Sequence, residues 1–260
     1  MRYDAHKTLI APARPTASLP LLIGGVFLTI MAYYSLNYLV WMVVFAALTS
    51  DESWALMTTL DEARTPGAVL VNLAVFILLP IALAVTLKVL HQRSLASLVG
   101  RVFTAIRQFR RVLFMLAMLF AVLFIIPVPD DLAPSANLAF GQWLILLPLT
   151  LLTLLIQTSA EELAFRGYIQ SQLAACFSSP VIWLCAPSLL FGLVHYNPEL
   201  PTQNAVIVVL WATMFGMVAA DLTARSTSTS CESGTVDNLF PSIGEITSRV
   251  SESTSWNFPL

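Results

Sequence analysis

Long, nearly uncharged apolar runs are the feature that most limits what this chain can fold into. Four of them, at residues 21–48, 69–90, 112–128 and 144–160, are about as long as the roughly 17–25 residues that a helix needs to cross a bilayer. Two shorter runs, at 181–194 and 205–220, are either further spans or helices packed inside the bundle. One soluble core cannot bury so many runs, so the sequence predicts an all-α fold, a polytopic transmembrane helix bundle with about six spans.

Composition agrees with a protein whose main partner is the lipid bilayer. Hydrophobic residues make up 57% of the chain and charged residues only 11%, whereas a soluble domain carries roughly 25% charged residues. The net charge of -2 supplies no basic excess to neutralise phosphates, which excludes a nucleic-acid partner. The three cysteines lack C-x-x-C or Cys/His spacing and indicate no zinc site.

The basic residues between the second and third apolar runs predict the orientation. Residues 91–111 contain five arginines and no acidic residue, and such loops stay on the cytoplasmic side. The N-terminus then also lies in the cytoplasm, and the acidic loops near residues 51–62 and 130–131 lie outside. We therefore expect a multi-pass protein of the plasma membrane with a cytoplasmic N-terminus.

The same patterns divide the chain into four parts. Residues 1–18 form a cytoplasmic N-terminus, residues 19–138 the N-terminal transmembrane helices, and residues 139–225 a core that contains the chemically interesting side chains. Residues 226–260 are rich in Ser and Thr and lack apolar periodicity, which predicts a disordered tail. The change at Ser226 is abrupt, and we interpret it as a frameshift, an altered C-terminus or a truncated gene.

One cluster of ionisable residues lies within the apolar core. It consists of Glu161, Glu162 and Arg166 in the stretch SAEELAFRGY, and of His195 in LLFGLVHYNPE. An ionisable side chain in the bilayer costs at least a few kcal/mol unless it is paired, so it indicates function. Glu162 and Arg166 are four residues apart and can form a salt bridge on a helix. Glu161 points about 100° away from Glu162 and lacks that partner.

A helical hairpin would bring Glu161 and His195 together. Residues 178–180, Ser-Ser-Pro, predict a turn that lies about equally far from both. Phe191 and His195 share one helix face, and Gly192 permits a close helix approach. A Glu and a His that face each other can activate a water molecule or hold a metal ion together.

Structural roles are the alternatives. The Glu162–Arg166 pair can be a purely structural ion pair, and His195 can be a structural residue at the membrane interface. We expect the other two histidines, His6 and His91, to be solvated or interfacial.

The two motifs resemble those of a known family. EELAFR matches the E-E-x-x-x-R pattern and FGLVH the F-x-x-x-H pattern of the CPBP family of intramembrane glutamic endopeptidases, also called the CAAX-protease and bacteriocin-processing (Abi) family. The resemblance covers roughly residues 140–225, which makes 139–225 a CPBP-like catalytic core.

The resemblance implies hydrolysis of a peptide bond within the membrane. Glu161 would be the base that activates water and His195 would assist it. Glu162, Arg166 and Phe191 would support the site. The implied mechanism uses no metal or other cofactor, although the residues alone leave a metal ion open. The implied partner is a peptide or a membrane-protein substrate, membrane-associated or lipid-modified.

The chain departs from the family at a third motif, a His followed four residues on by Asn. Those donors would stabilise the oxyanion, a contribution worth roughly 10²-fold or more in rate. No His follows His195, so the core is partial. A non-catalytic membrane scaffold or a bacteriocin-immunity-type protein on the same fold is therefore the alternative. A transporter with Glu161 and His195 as a proton relay is a third interpretation, which the lack of paired broken helices disfavours.

Overall fold

The computed structural model describes Tyr3 and residues 6–99, 102–125 and 138–226. Within these ranges the chain forms α-helices joined by short 3-10, π and turn segments, and no strand occurs in them. The helices are α1 (His6–Ile10), α2 (Leu19–Ala46), α3 (Ser50–Glu62), α4 (Pro66–Ala74), α5 (Leu78–Leu90), α6 (Val102–Ile125), α7 (Phe140–Glu162), α8 (Ser171–Cys176), α9 (Pro180–Leu193) and α10 (Thr202–Ser226).

Four helical stretches of the described chain are long and apolar enough to cross a membrane. They are Leu19–Ala46, Pro66–Leu90, Phe140–Cys176 and Thr202–Arg225, and α9 is a shorter apolar helix. The predicted all-α transmembrane bundle is thereby confirmed. The short run 205–220 belongs to α10, which is long enough to span, whereas 181–194 belongs to the shorter α9. The end of run 112–128 and the predicted tail beyond Ser226 lie outside the described residues.

Local sequence signals explain where several helices begin and end. Ser18 accepts a hydrogen bond from the Leu21 amide at the start of α2, and Thr49 forms a capping box with Glu52 at the start of α3. Proline occupies the first turn of α4 and α9, where its missing amide costs nothing. α3 ends at Glu62, because the next residue, Ala63, has a φ of 48° that breaks the helical path.

The cluster of buried hydrophobic side chains that includes Leu22, Leu87, Tyr168 and Trp183 lies at one end of the bundle. We call this end the docking end. The N-terminal segment packs there: the Tyr3 hydroxyl donates to Asp221 Oδ1 of α10 at 2.7 Å, and the Tyr3 ring packs on Trp183 of α9. Thr16 bonds His91, the residue that follows α5, at 2.8 Å. The N-terminal segment, the end of α5, the start of α9 and the end of α10 therefore lie at the same end.

His6 and His91 are not solvated, contrary to the first of the two predicted alternatives. Their exposed fractions are 2% and 3%. His6 packs against the Trp183 ring, with 4.9 Å between the centroids. His91 contacts the Tyr168 hydroxyl through Nε2 at 2.9 Å and Gln172 through Nδ1 at 3.1 Å. Both are covered because the N-terminal segment folds back onto the bundle, which hydrophobicity alone does not reveal.

Candidate active site

The residues of the first motif lie where the helix changes type. α7 ends at Glu162, and Leu163–Gln170 continues as a π-helix before α8 begins. π-helical turns are rare in proteins, and those that do occur are frequently found at functional sites. From Leu163 onward the helix therefore departs from α geometry, because the i→i+5 hydrogen bonds of a π-helix widen the turn. Glu161 and Glu162 lie at this junction, near the middle of the 37-residue stretch Phe140–Cys176.

Glu162 and Arg166 form the salt bridge that the spacing predicts. Arg166 Nη1 lies 3.2 Å from Glu162 Oε1. The two side chains of the ion pair differ in burial, since that of Arg166 is 4% exposed and that of Glu162 is 44% exposed. Both Arg166 Nη atoms are buried and form no hydrogen bond in the described structure, so the contact with Glu162 is ionic. The arginine is thus the buried member of the pair.

Phe191 connects this ion pair to His195. The guanidinium carbon of Arg166 lies 4.5 Å from the centroid of the Phe191 ring, a cation–π contact. Phe191 also packs against His195, four residues further along the chain, with 4.6 Å between the ring centroids. The structure thus brings Glu162, Arg166, Phe191 and His195 into one contiguous cluster across two helical segments.

A second aromatic contact sets the register between these segments. The rings of Phe165 and Phe191 meet edge to face with 5.1 Å between their centroids. The turn between α8 and α9 lies at the predicted position, since α8 ends at Cys176 and α9 begins at Pro180. Glu161 lies four residues before Phe165, and His195 lies four residues after Phe191. In an antiparallel pair these steps run in the same spatial direction, so Glu161 and His195 lie on the same side of the aromatic contact.

Glu161 has a neutral partner that sequence reasoning missed. Gln157 Nε2 donates to Glu161 Oε1 at 3.1 Å. The signal was available, because Gln157 is a polar residue in an apolar run and lies four residues before Glu161. Both side chains are partly buried. The amide positions the carboxylate without neutralising it.

The tautomer of His195 follows from its hydrogen bond. Its Nδ1 lies 2.7 Å from the Phe191 carbonyl oxygen. A carbonyl only accepts, so Nδ1 carries the proton, and Nε2 of the neutral ring keeps its lone pair. No hydrogen bond or ion pair joins His195 to Glu161 in the described part of the chain. His195 Nε2 can therefore accept a hydrogen bond from a molecule placed between the two.

α10 packs beside the site at Gly192, as the glycine predicts. A Cβ at Gly192 would collide with the Thr213 side chain and would lie 2.7 Å from the Val209 carbonyl oxygen. Phe215 of the same helix lies 6.2 Å from Phe191, centroid to centroid. The Thr213 hydroxyl donates to the Val209 carbonyl at 2.8 Å, so it is engaged by its own backbone.

The described residues contain no group of three or more His, Cys, Asp or Glu side chains placed to hold a metal ion. The arrangement offers a carboxylate and an imidazole on the same side of the Phe165–Phe191 contact, beside an ion pair whose arginine is buried. Such a pair can move protons to and from a water molecule.

Comparison with known families places this site in a recognised domain. Residues 142–232 match the family described as Type II CAAX prenyl endopeptidase Rce1-like. The chain matches no curated protein and no solved structure. The matched range contains both motifs, the π-helical segment and the two helices that pack around Phe191. Residues 142–232 therefore match an Rce1-like domain, and the resemblance of this part of the chain to the CPBP family of CAAX proteases is confirmed.

Proposed function

We propose that this protein is an intramembrane endopeptidase of the glutamic type. The observation that carries the proposal is the Phe165–Phe191 contact, because it supports a register in which Glu161 and His195 lie on the same side of the two rings. The site lies near the middle of the longest candidate span, which fits hydrolysis within the bilayer. The family match supports the same activity, because CAAX prenyl endopeptidases cleave peptide bonds.

In the proposed reaction, Glu161 takes a proton from a water molecule that also donates to His195 Nε2. The resulting hydroxide attacks the scissile carbonyl, and the proton passes to the departing nitrogen as the peptide bond breaks. The amide of Gln157 holds Glu161 through Oε1 and leaves its other oxygen for the water. The Glu162–Arg166 pair and Phe191 fix the positions of these groups.

The proposed substrate is a peptide or a membrane protein, membrane-associated or lipid-modified. A bond cleaved at this depth belongs to a segment that already lies in the bilayer. We further propose the plasma membrane as the location, with the docking end and the N-terminus facing the cytoplasm. The arginine-rich segment after α5 supports this orientation, because it starts at the docking end.

The test is cleavage in proteoliposomes of a farnesylated peptide with a C-terminal CAAX sequence and of an unmodified transmembrane peptide. We expect Glu161→Gln to lower the rate by about 10²-fold or more, since it removes the base and keeps the shape. Glu62→Gln, at the end of α3, is the matched control and should cleave like the unaltered protein. Cleavage by Glu161→Gln at the unaltered rate would refute the assignment.

A non-catalytic scaffold on the same fold is the second candidate. It is favoured by α10, which packs beside the site but contains no His, and whose Thr213 hydroxyl is engaged by its own backbone. A scaffold would fold and insert normally, yet the unaltered protein and Glu161→Gln would release equal, background amounts of product. The same assay therefore separates the two candidates.

A further inference from the structure

α6 exposes its side chains all round. Among the described side chains of Val102–Ile125, all are exposed except Gln108, which is partly covered. Residues 112–125 contain no charged or polar side chain. Exposing so large an apolar surface to water is unfavourable, so another apolar medium or molecule must contact it. In a protein with several membrane-spanning helices, that medium is lipid.

Three arginines lie directly before this apolar stretch. Arg107 is three residues from Arg110 and four residues from Arg111, so the three side chains share one face of the helix. The boundary between a basic turn and an apolar helix is where lipid headgroups meet acyl chains. The guanidinium groups are therefore placed at headgroup level.

A groove of about 680 Å³ runs along this face of α6. It is lined by Arg107, Arg110, Arg111, Leu113, Phe114 and Ala117. The arginines occupy its first part, and the apolar side chains occupy the part that runs into the uncharged stretch. A ligand that matches both parts has an anionic head and an apolar tail. Guanidinium groups suit phosphate in particular, because their paired N–H donors bind two of its oxygens at once.

No described residue supplies a counter-charge to these arginines. No acidic residue occurs between Glu62 and Asp130. None of the three arginines forms an ion pair with any described residue. Their positive charge therefore remains available to an anion from outside the chain.

We propose that the groove on α6 binds an anionic phospholipid of the surrounding bilayer. The lipid phosphate lies against Arg107, Arg110 and Arg111, and an acyl chain lies along Phe114 and Ala117. The proposal does not depend on peptidase activity, since the described residues that line the groove all belong to α6. It assigns α6 a lipid-binding role that is separate from the hydrolytic site.

The test uses the full-length protein in neutral detergent and counts bound lipid by native mass spectrometry. The probes are dioleoylphosphatidylglycerol and dioleoylphosphatidylcholine, which share acyl chains and differ in headgroup charge. We expect the anionic lipid to bind at least about tenfold more tightly. The triple variant Arg107→Gln, Arg110→Gln, Arg111→Gln should lose this preference. The control Arg64→Gln, between α3 and α4, should keep it.

Several outcomes would overturn the proposal. Equal binding of the two lipids by the unaltered protein would do so, whether or not the triple variant folds. An unchanged preference in the triple variant, or an equal loss in the Arg64→Gln control, would show that the groove is not the site. Displacement of the lipid by inorganic phosphate, but not by sodium chloride of the same ionic strength, would show that the site takes free phosphate instead.

Discussion

At the scale of single residues, the Glu162–Arg166 pair is asymmetric. Arg166 is buried under Phe191, whereas Glu162 keeps nearly half of its surface exposed. A buried charge that loses its partner costs roughly 3–5 kcal/mol in a fully buried pair, and less where one member reaches the surface. Removing the carboxylate should therefore be more harmful than removing both charges together.

We expect Glu162→Gln to destabilise the folded protein by about 2–3 kcal/mol, because it leaves the Arg166 charge uncompensated. The double variant Glu162→Gln, Arg166→Met should recover most of that loss, since it removes the buried charge and keeps a long side chain against Phe191. Thermal unfolding in detergent measures both. If Glu162→Gln melts at the temperature of the unaltered protein, the ion pair does not stabilise the fold.

At the scale of the elements, the approach of α9 to α10 depends on Gly192. A methyl group there would meet a backbone carbonyl at 2.7 Å, and a backbone atom cannot move aside without shifting its helix. We expect Gly192→Ala to cost about 1–3 kcal/mol in stability, as overpacking commonly does. Because His195 follows directly after the end of α9, we expect its position to change too.

Gly24→Ala is the matched control for this helix contact. It also lies within a helix, but a Cβ there meets no atom within 4 Å. Alanine should be neutral or slightly stabilising at that position, because it favours the helix more than glycine does. Equal melting temperatures for the two variants would show that α9 and α10 are not held at Gly192.

The docking of the N-terminal segment should depend on pH through His6. Burial lowers the pKa of His6 to about 4, while the same side chain titrates near 6.5 once the segment is released. The released state therefore binds more protons between these values. Docking is most stable above pH 6.5, weakens as the pH falls, and has lost about 3 kcal/mol near pH 4.

Amide hydrogen exchange of residues 6–16 measures this effect. We expect exchange to quicken as the pH is lowered from 6.5 to 4, after correction for the intrinsic exchange rate. His6→Phe keeps a ring against Trp183 without a titrating group, so its exchange should change much less. The remaining change would come from His91, whose pKa is also lowered, first by burial and then by Arg93. Equal pH dependence in His6→Phe and the unaltered protein would contradict the role of His6.

At the scale of the whole molecule, the sequence is sufficient where the physics is local. Run length and charge predict three of the four described stretches that are long and apolar enough to cross a membrane, namely Leu19–Ala46, Pro66–Leu90 and Phe140–Cys176. The i,i+4 spacing predicts the Glu162–Arg166 bridge, and Pro180 predicts the turn that begins α9. These features depend on residues close together in the chain.

Long-range packing could not be predicted in the same way. The burial of His6 and His91 arises when the N-terminal segment folds onto the ends of distant helices. The π-helix at Leu163–Gln170 also could not be predicted from the sequence, because its residues suit an α-helix equally well. The i,i+4 spacing of Gln157 and Glu161 permits their hydrogen bond, but the charged residues nearby give a stronger signal in the sequence.

The central claim is that Glu161 and His195 lie opposite each other, and cysteine cross-linking tests it without relying on activity. In a variant with Cys176, Cys185 and Cys231 replaced by serine, Glu161→Cys and His195→Cys are introduced together and treated with a short bis-maleimide. The control pair is Ile145→Cys with His195→Cys, about 24 Å further along α7 at 1.5 Å per residue. We expect rapid cross-linking of the first pair and none of the second. Cross-linking of neither pair, or of both at the same rate, would contradict the register on which the proposed active site rests.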